Sequence, residues 1–179
     1  MVLRIDYTTR VRGVINLEKL SHIDSELGPQ MVDIGDKETT TREAIARGRV
    51  DMDAKTLDAI DNSKTPKGDV LSVAQIAGIM AAKETHRLVP LTHTLLLDSV
   101  EVKLSLNSET SSVEIESTVR TKGKTGAEME ALTAVAVSAL TVYDMCKGLD
   151  KQMKIQDVRL VSKTGGKSGD VRLEDYKQS

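Results

Sequence analysis

Cysteine is almost missing from this chain of 179 residues: Cys146 stands alone. An intrachain disulfide framework and a cysteine-rich metal cluster are thereby excluded, and a reducing interior is the natural setting. Phe and Trp do not occur and Tyr occurs three times, which argues against stacking bases on aromatic platforms. There is no surplus of positive charge either. Lys and Arg number 25 against 27 Asp and Glu, a net charge of −2, so no overall field draws nucleic acid. No run approaches the roughly 20 apolar residues of a membrane span. The opening "MVLRIDYTTRVRG" offers no apolar core for a signal peptide. His22, His86 and His93 fall into no metal-ligand spacing. These absences predict a soluble cytoplasmic protein with no bound metal and with neither nucleic acid nor membrane as partner.

What is present is the balance of a globular domain, 39% hydrophobic and 29% charged. Residues 1–30 show no period and end at Gly28-Pro29, so they read as an arm of unclear role; residues 31–179 read as one domain. Residues 40–52 fit a strand with charged outer positions, and 53–60 a short helix with Asp53 as its cap. A helix is expected from Val70 to about Arg87, capped by Asp69, with Val73, Ile76, Ala77, Met80 and Ala81 on its apolar face and Pro90 beyond its end. Val100, Val102, Leu104 and Leu106 alternate with polar residues, as do Val113, Ile115 and Val119, and "NSET" between them predicts an antiparallel hairpin. Residues 125–149 form the clearest helix, with Thr125 as cap and Leu132, Val135, Ala136, Ala139, Leu140 and Tyr143 on one face. A strand at 155–162 follows. The mixed order predicts an α+β fold, with helices packed on a largely antiparallel sheet.

Two fragments pair glycine and lysine with Ser or Thr: "KGKTG" at 122–126 and "GGKSG" at 165–169. A P-loop needs another glycine five residues before its Gly-Lys. Thr118 and Val161 occupy those positions, so neither fragment is a P-loop. Glycine amides beside a lysine can still cradle an anion; the same composition also suits a solvated coil.

Several charged residues invite functional readings. Asp144 and Lys147 are three apart on the long helix and within reach of each other. Glu128 and Glu130 fall in its first turn, where carboxylates favour the helix dipole. Glu130 and Asp144 lie near one face yet about 20 Å apart along the axis. If both serve one site, two subunits must supply it. Lys67, beside a glycine and ahead of a helix start, reads either as a loop lysine or as a cation beside a bound anion. Cys146 reads as a small buried hydrophobe.

"KGDV" (67–70), "AGIMAAKET" (77–85), "PLTH" (90–93), "GKTGAEMEALTA" (123–134), "YDMCK" (143–147) and "KTGGKSGD" (163–170) together resemble the MoaC family, the cyclic pyranopterin monophosphate synthases of molybdenum-cofactor biosynthesis. "MVDIGDKETTTREAIARG" (31–48) resembles that family's opening segment. The resemblance implies a ferredoxin-like α+β subunit, a homo-oligomer built as a hexamer of dimers, and active sites at a dimer interface. It implies conversion of a cyclised guanosine triphosphate derivative into a pyranopterin carrying a cyclic phosphate, with release of pyrophosphate. No cofactor is implied, apart from magnesium that a triphosphate would carry in.

By motif, Asp144, Lys67 and Lys147 match catalytic residues. Leu91, Thr92 and His93 match a substrate-binding tripeptide, and Met129 and Glu130 a substrate-binding pair, with Glu128 beside them. Lys163, with Lys167 further along its loop, matches the basic end of the site. Many relatives read Leu-Cys-His-Pro where this chain has Leu91-Thr92-His93-Thr94, so a thiol at Thr92 is not essential to such an activity. The residues by themselves also fit a module that binds a nucleotide or pterin without chemistry, or a protein whose charged helix only builds an assembly. Proton transfer by a lysine near neutral pH would require its pKa to fall.

Overall fold

Alternation along one strand organises the structure, a computed structural model that describes residues 23–24, 28–167 and 169–174. In β3 (Thr40–Asp51), Ala44, Ala46, Gly48 and Val50 are buried while Glu43, Arg47 and Arg49 face the other way. Period-two alternation of this kind puts one face on a core and the other in water. The chain continues through α1 (Ala54–Asp61), α2 (Val70–Lys83) and α3 (Thr85–Leu88) to the hairpin β4 (Leu97–Asn107) and β5 (Ser112–Gly123), then α4 (Glu128–Cys146), β6 (Lys154–Thr164) and β7 (Val171–Arg172). All pairings are antiparallel and the sheet order is β4-β5-β3-β6-β7. Without β7 this is the β-α-β-β-α-β arrangement of ferredoxin-like domains, so the expected α+β class is the observed one.

The chain divides into two units, residues 1–32 and 33–179. In the first, β1 (Ile23–Asp24) pairs antiparallel with β2 (Gly28–Pro29). The rest of the expected arm, residues 1–22 and 25–27, lies outside the described residues. Everything below concerns the second unit.

The core lies between the sheet and α4. Ala131, Ala134, Val135, Ala139 and Val142 meet the small residues of β3 and the branched Val113, Ile115 and Val119 of β5. Small side chains let the helix come close, and Gly48 shows how close: a Cβ there would stand 2.7 Å from Val135 Cγ1 and 3.1 Å from Val158 Cγ2. Where α2 crosses α4 the limiting residue is Gly78, whose Cβ would fall 2.9 Å from the carbonyl of Ala134. Ser138, buried at that crossing, donates to the Ala74 carbonyl at 3.0 Å. By length and mean hydropathy α4 is apolar enough to cross a membrane, beyond what the sequence reading allowed. Its placement between sheet and α2 makes it a core helix.

Several local expectations need correction. The helix from Val70 ends at Lys83, and Glu84 breaks it before α3, whose Thr85 hydroxyl bonds back to the Ala82 carbonyl at 3.0 Å. Its buried face is Val70, Ala74, Gly78, Ala81 and Ala82, while Ile76 and Met80 are each 58% exposed. Small residues win the inner face because α4 lies so near. On α4 itself Val135 and Ala139 are buried as expected, but Leu140 is exposed, the helix being wedged between two neighbours rather than lying on one. Asp69 caps α2, accepting from Ser72 N at 3.0 Å, whereas Asp53 and Thr125 cap nothing: α1 has no side-chain cap and α4 starts after Ala127.

Candidate active site

The two ends of α4 each gather a charged group. At its C-terminal end Lys67 arrives from the loop between α1 and α2. Gly68 adopts φ +89°, a conformation that favours glycine. Its N–H donates to the Thr65 carbonyl at 3.2 Å, while the Thr65 hydroxyl donates to the Gly68 carbonyl. Asp69 then caps α2. With the turn held on both sides, Lys67 Nζ reaches Asp144 at 2.6 Å from Oδ2 and 3.1 Å from its carbonyl. Lys147, the residue that closes α4, stands 2.7 Å from Oδ1 of the same carboxylate.

The side chains of Lys67, Asp144 and Lys147 are 49%, 53% and 54% exposed. Surface ion pairs contribute little to stability, so folding alone does not account for two lysines on one carboxylate. Hydrogen bonds from Lys147 and then Lys67 hold the Asp144 pKa down to about 2, and Asp144 in turn raises that of Lys147. The direction is opposite to the fall that proton abstraction by Lys147 would need: within one chain the carboxylate outweighs any lysine–lysine repulsion.

At the N-terminal end of α4 a cleft of about 1090 Å³ opens, lined among others by Asp33, Lys37, Arg42, Lys124, Glu128 and Lys163, with Lys167 at its edge. Lys163 lies on β6 opposite Ala44 of β3 and Val171 of β7, and its Nζ meets Glu128 Oε1 at 2.8 Å. The segment "KTGGKSGD" begins on β6, which pairs antiparallel with β7 beyond it, and its glycines lie between the two strands. Gly165 N donates to Asp170 Oδ1 at 3.0 Å and Gly169 N to the Gly166 carbonyl at 3.1 Å. Arg42 ties this connection to the other glycine–lysine fragment. Its Nε and Nη2 donate to the carbonyls of Gly123 and Lys124 at 3.0 and 3.2 Å, and its guanidinium packs where a side chain at Gly166 would lie. The Lys124 ammonium in turn donates to the Gly35 carbonyl. Two fragments that fail as P-loops thus meet in one place.

In the same first turn of α4 Glu130 is 4% exposed, and burial, with the Glu128 charge adding to it, lifts its pKa to about 7. Its neighbour Met129 turns outward, 37% exposed. Leu91, Thr92 and His93 lie between α3 and β4. Leu91 is exposed, His93 is half-buried, and the Thr92 hydroxyl donates to the Val89 carbonyl at 2.9 Å, holding the turn. Cys146 is fully buried and its thiol pKa is raised by that burial. Among the described residues no three His, Cys, Asp or Glu cluster as a metal would need.

The structure therefore joins Lys67, Asp144 and Lys147 in one group and Glu128, Lys163 and Lys167 in or beside another, with Glu130 at the same helix end as the second. Sequence reading missed Arg42, Lys124 and the acidic and basic residues of 33–38. The signal for Lys124 was there in "KGKTG", while Arg42 looks like any charged outer position of a strand.

A five-stranded antiparallel sheet with helices packed on it and charged groups at both ends of one core helix defines a class, ferredoxin-like α+β proteins. Within that class the match is specific: the MoaC family model covers residues 31–166, and the chain belongs to the MoaC family. It is 55% identical over 152 residues to a cyclic pyranopterin monophosphate synthase of Chloroflexus aurantiacus, covering 85% of this chain and 93% of that one. It is 56% identical over 154 residues to the synthase of the same name from Roseiflexus sp., covering 86% of this chain and 98% of the relative. With the synthase of Heliobacterium modesticaldum the identity is 56% over 153 residues, covering 86% and 96%.

Proposed function

We propose that this protein is a cyclic pyranopterin monophosphate synthase of molybdenum-cofactor biosynthesis, a phosphorus–oxygen lyase working in the cytoplasm. The observation that carries the reading is the convergence of Lys67, from a loop 77 residues away in sequence, with Lys147 on the exposed carboxylate of Asp144. Such a triad adds little to the fold and presents two ammonium groups and an acceptor to a ligand. The relatives' shared name supports the product, a cyclic pyranopterin monophosphate; in this reading a cyclised guanosine triphosphate derivative rearranges to it, the cyclic phosphate forms, and pyrophosphate departs.

In this reading Lys147, kept protonated by Asp144, serves as cation and proton donor, and Lys67 shares the same carboxylate. Lys163 and Lys167 meet the phosphates, with magnesium arriving only as the triphosphate's own counter-ion. Glu130 accepts from the ring N–H groups, while Leu91, Thr92, His93 and Met129 shape the ring's seat. Both helix ends cannot serve one small ligand within a subunit, because α4 separates them by about 21 Å. The site is therefore composite, one end from each of two subunits, in a homo-oligomer of dimers assembled as a hexamer. The outward apolar row of Val73, Ile76 and Met80 supports burial against a further copy.

Incubation with the cyclised triphosphate, followed by mass and by pyrophosphate release, tests the activity. A product with the mass of the cyclic pyranopterin is the expected outcome. Saturable binding with no turnover would leave a binding module, and no saturable binding of a guanosine triphosphate analogue would leave an assembly protein.

A further inference from the structure

Three cations of the cleft are already engaged. Arg42 and Lys124 are committed to backbone carbonyls that hold the cleft's own walls together. Lys163 is different: its partner is a charge, the Glu128 carboxylate at 2.8 Å, and both side chains stand mostly within the wall, 28% and 26% exposed. The pairing is made possible by Gly126, which lies between the "GKT" fragment and the helix. A Cβ at Gly126 would collide with the Glu128 carboxylate, so glycine there leaves room for Glu128 to fold back from the first turn of α4. Lys163 is held in register on both sides within the sheet. Glu128 hangs from a helix start that has no side-chain cap. Of the two partners the carboxylate is the one able to leave.

We propose that Glu128 is the internal counter-ion of Lys163, occupying in the empty protein the position that a phosphate of the substrate takes, so that a polyanion enters by displacing it. This rests on the reading that the cleft receives the substrate's phosphates, and it assigns to Glu128 a selective role in place of a ligand role. A small anion that reaches Lys163 alone gains little beyond what Glu128 already provides, whereas a triphosphate brings further charges for Lys167 and Lys37. The cleft thereby discriminates against inorganic phosphate and in favour of polyphosphates.

The test measures binding of inorganic triphosphate by calorimetry to the full chain, without any reaction. Glu128→Gln keeps the length and the hydrogen-bonding oxygen but removes the charge. It should bind triphosphate about two- to fivefold tighter, the factor expected when a competing surface ion pair is lost, and the preference for triphosphate over inorganic phosphate should narrow. In a Lys163→Ala background the gain should vanish, because the pair no longer exists. Glu128→Asp, which retains charge but is too short for the same contact, covers the case in which Glu128→Gln does not fold. Its expected affinity lies between those of wild type and Glu128→Gln.

Unchanged or weaker triphosphate binding in Glu128→Gln overturns the proposal, as does a gain that persists without Lys163, which would mean general repulsion. Wild-type protein that binds no triphosphate overturns it too. Turnover of the cyclised substrate is measured separately: its absence sinks the assigned reaction while leaving the counter-ion result intact.

Discussion

At the scale of single residues, two carboxylates of one helix are driven in opposite directions. Asp144, exposed and shared by two ammonium groups, has its pKa lowered to about 2; Glu130, buried with a like charge nearby, has its pKa raised to about 7. Carboxyl resonances followed by NMR should show Asp144 titrating near pH 2 in the wild type, partway back toward the ordinary 3.8 once Lys147 is replaced by Ala, because Lys67 still holds the carboxylate, and close to 3.8 only when both lysines are replaced. For Glu130 the folded state holds its proton more tightly than the unfolded chain between the ordinary 4.5 and about 7. Stability is thus favoured below that window and lost as pH rises through it. Glu130→Gln should melt close to wild type at pH 5 and above it at pH 8, the gain being of order 1–3 kcal/mol. Lys67→Ala and Lys147→Ala should each stall turnover with little change in melting temperature, since the pairs they break are exposed. Near-normal rates in either variant would refute the catalytic assignment. The motifs pointed to these side chains, but the sign of the Lys147 shift followed only from finding both lysines on one carboxylate.

At the scale of elements, alternation and turn chemistry made β3, the hairpin and β6 readable, since period two and an Asn-led turn are local properties. Asn107 Oδ1 accepts from Glu109 N and Thr110 N at 3.1 and 3.2 Å, the side-chain turn that "NSET" announced. Helix orientation was less readable. An apolar residue on a helix can face the core or a partner, and α2 reserves its core side for Ala74 and Gly78 because α4 crosses there. Gly48→Ala and Gly78→Ala should therefore each destabilise by about 1–3 kcal/mol in urea unfolding, through overpacking against Val135 and the Ala134 carbonyl. At the hairpin connection, Lys163→Ala should weaken substrate binding more than it lowers the melting temperature, because the strand pairing of β6 does not depend on that side chain. The reverse pattern would make Lys163 structural.

At the scale of the whole molecule, the proposed composite site makes a statement about subunits. Protein carrying Lys147→Ala lacks one half-site and protein carrying Glu130→Ala the other. Co-refolded as a mixture, the two inactive variants should recover activity, approaching about a quarter of wild type for random pairing in a two-fold dimer. No recovery, with mixed dimers present, would place both halves in one subunit. The geometry behind this prediction needs only the helix rise and the fourteen residues between Glu130 and Asp144, both of which follow from the order of residues in the chain.

Order along the chain was enough for the strands, the long helix, the lack of disulfide and aromatic chemistry, and the family motifs, because each depends on residues that are near neighbours in sequence. Packing in three dimensions chose which cations share a cleft and which are already spoken for. Arg42 meets Gly123 across β3 and β5, Lys67 meets Asp144 across 77 residues, and Lys163 meets Glu128 across 35. Charge acts through space, at distances that chain order does not encode, so the state of each ionisable group became legible only when the chain was folded.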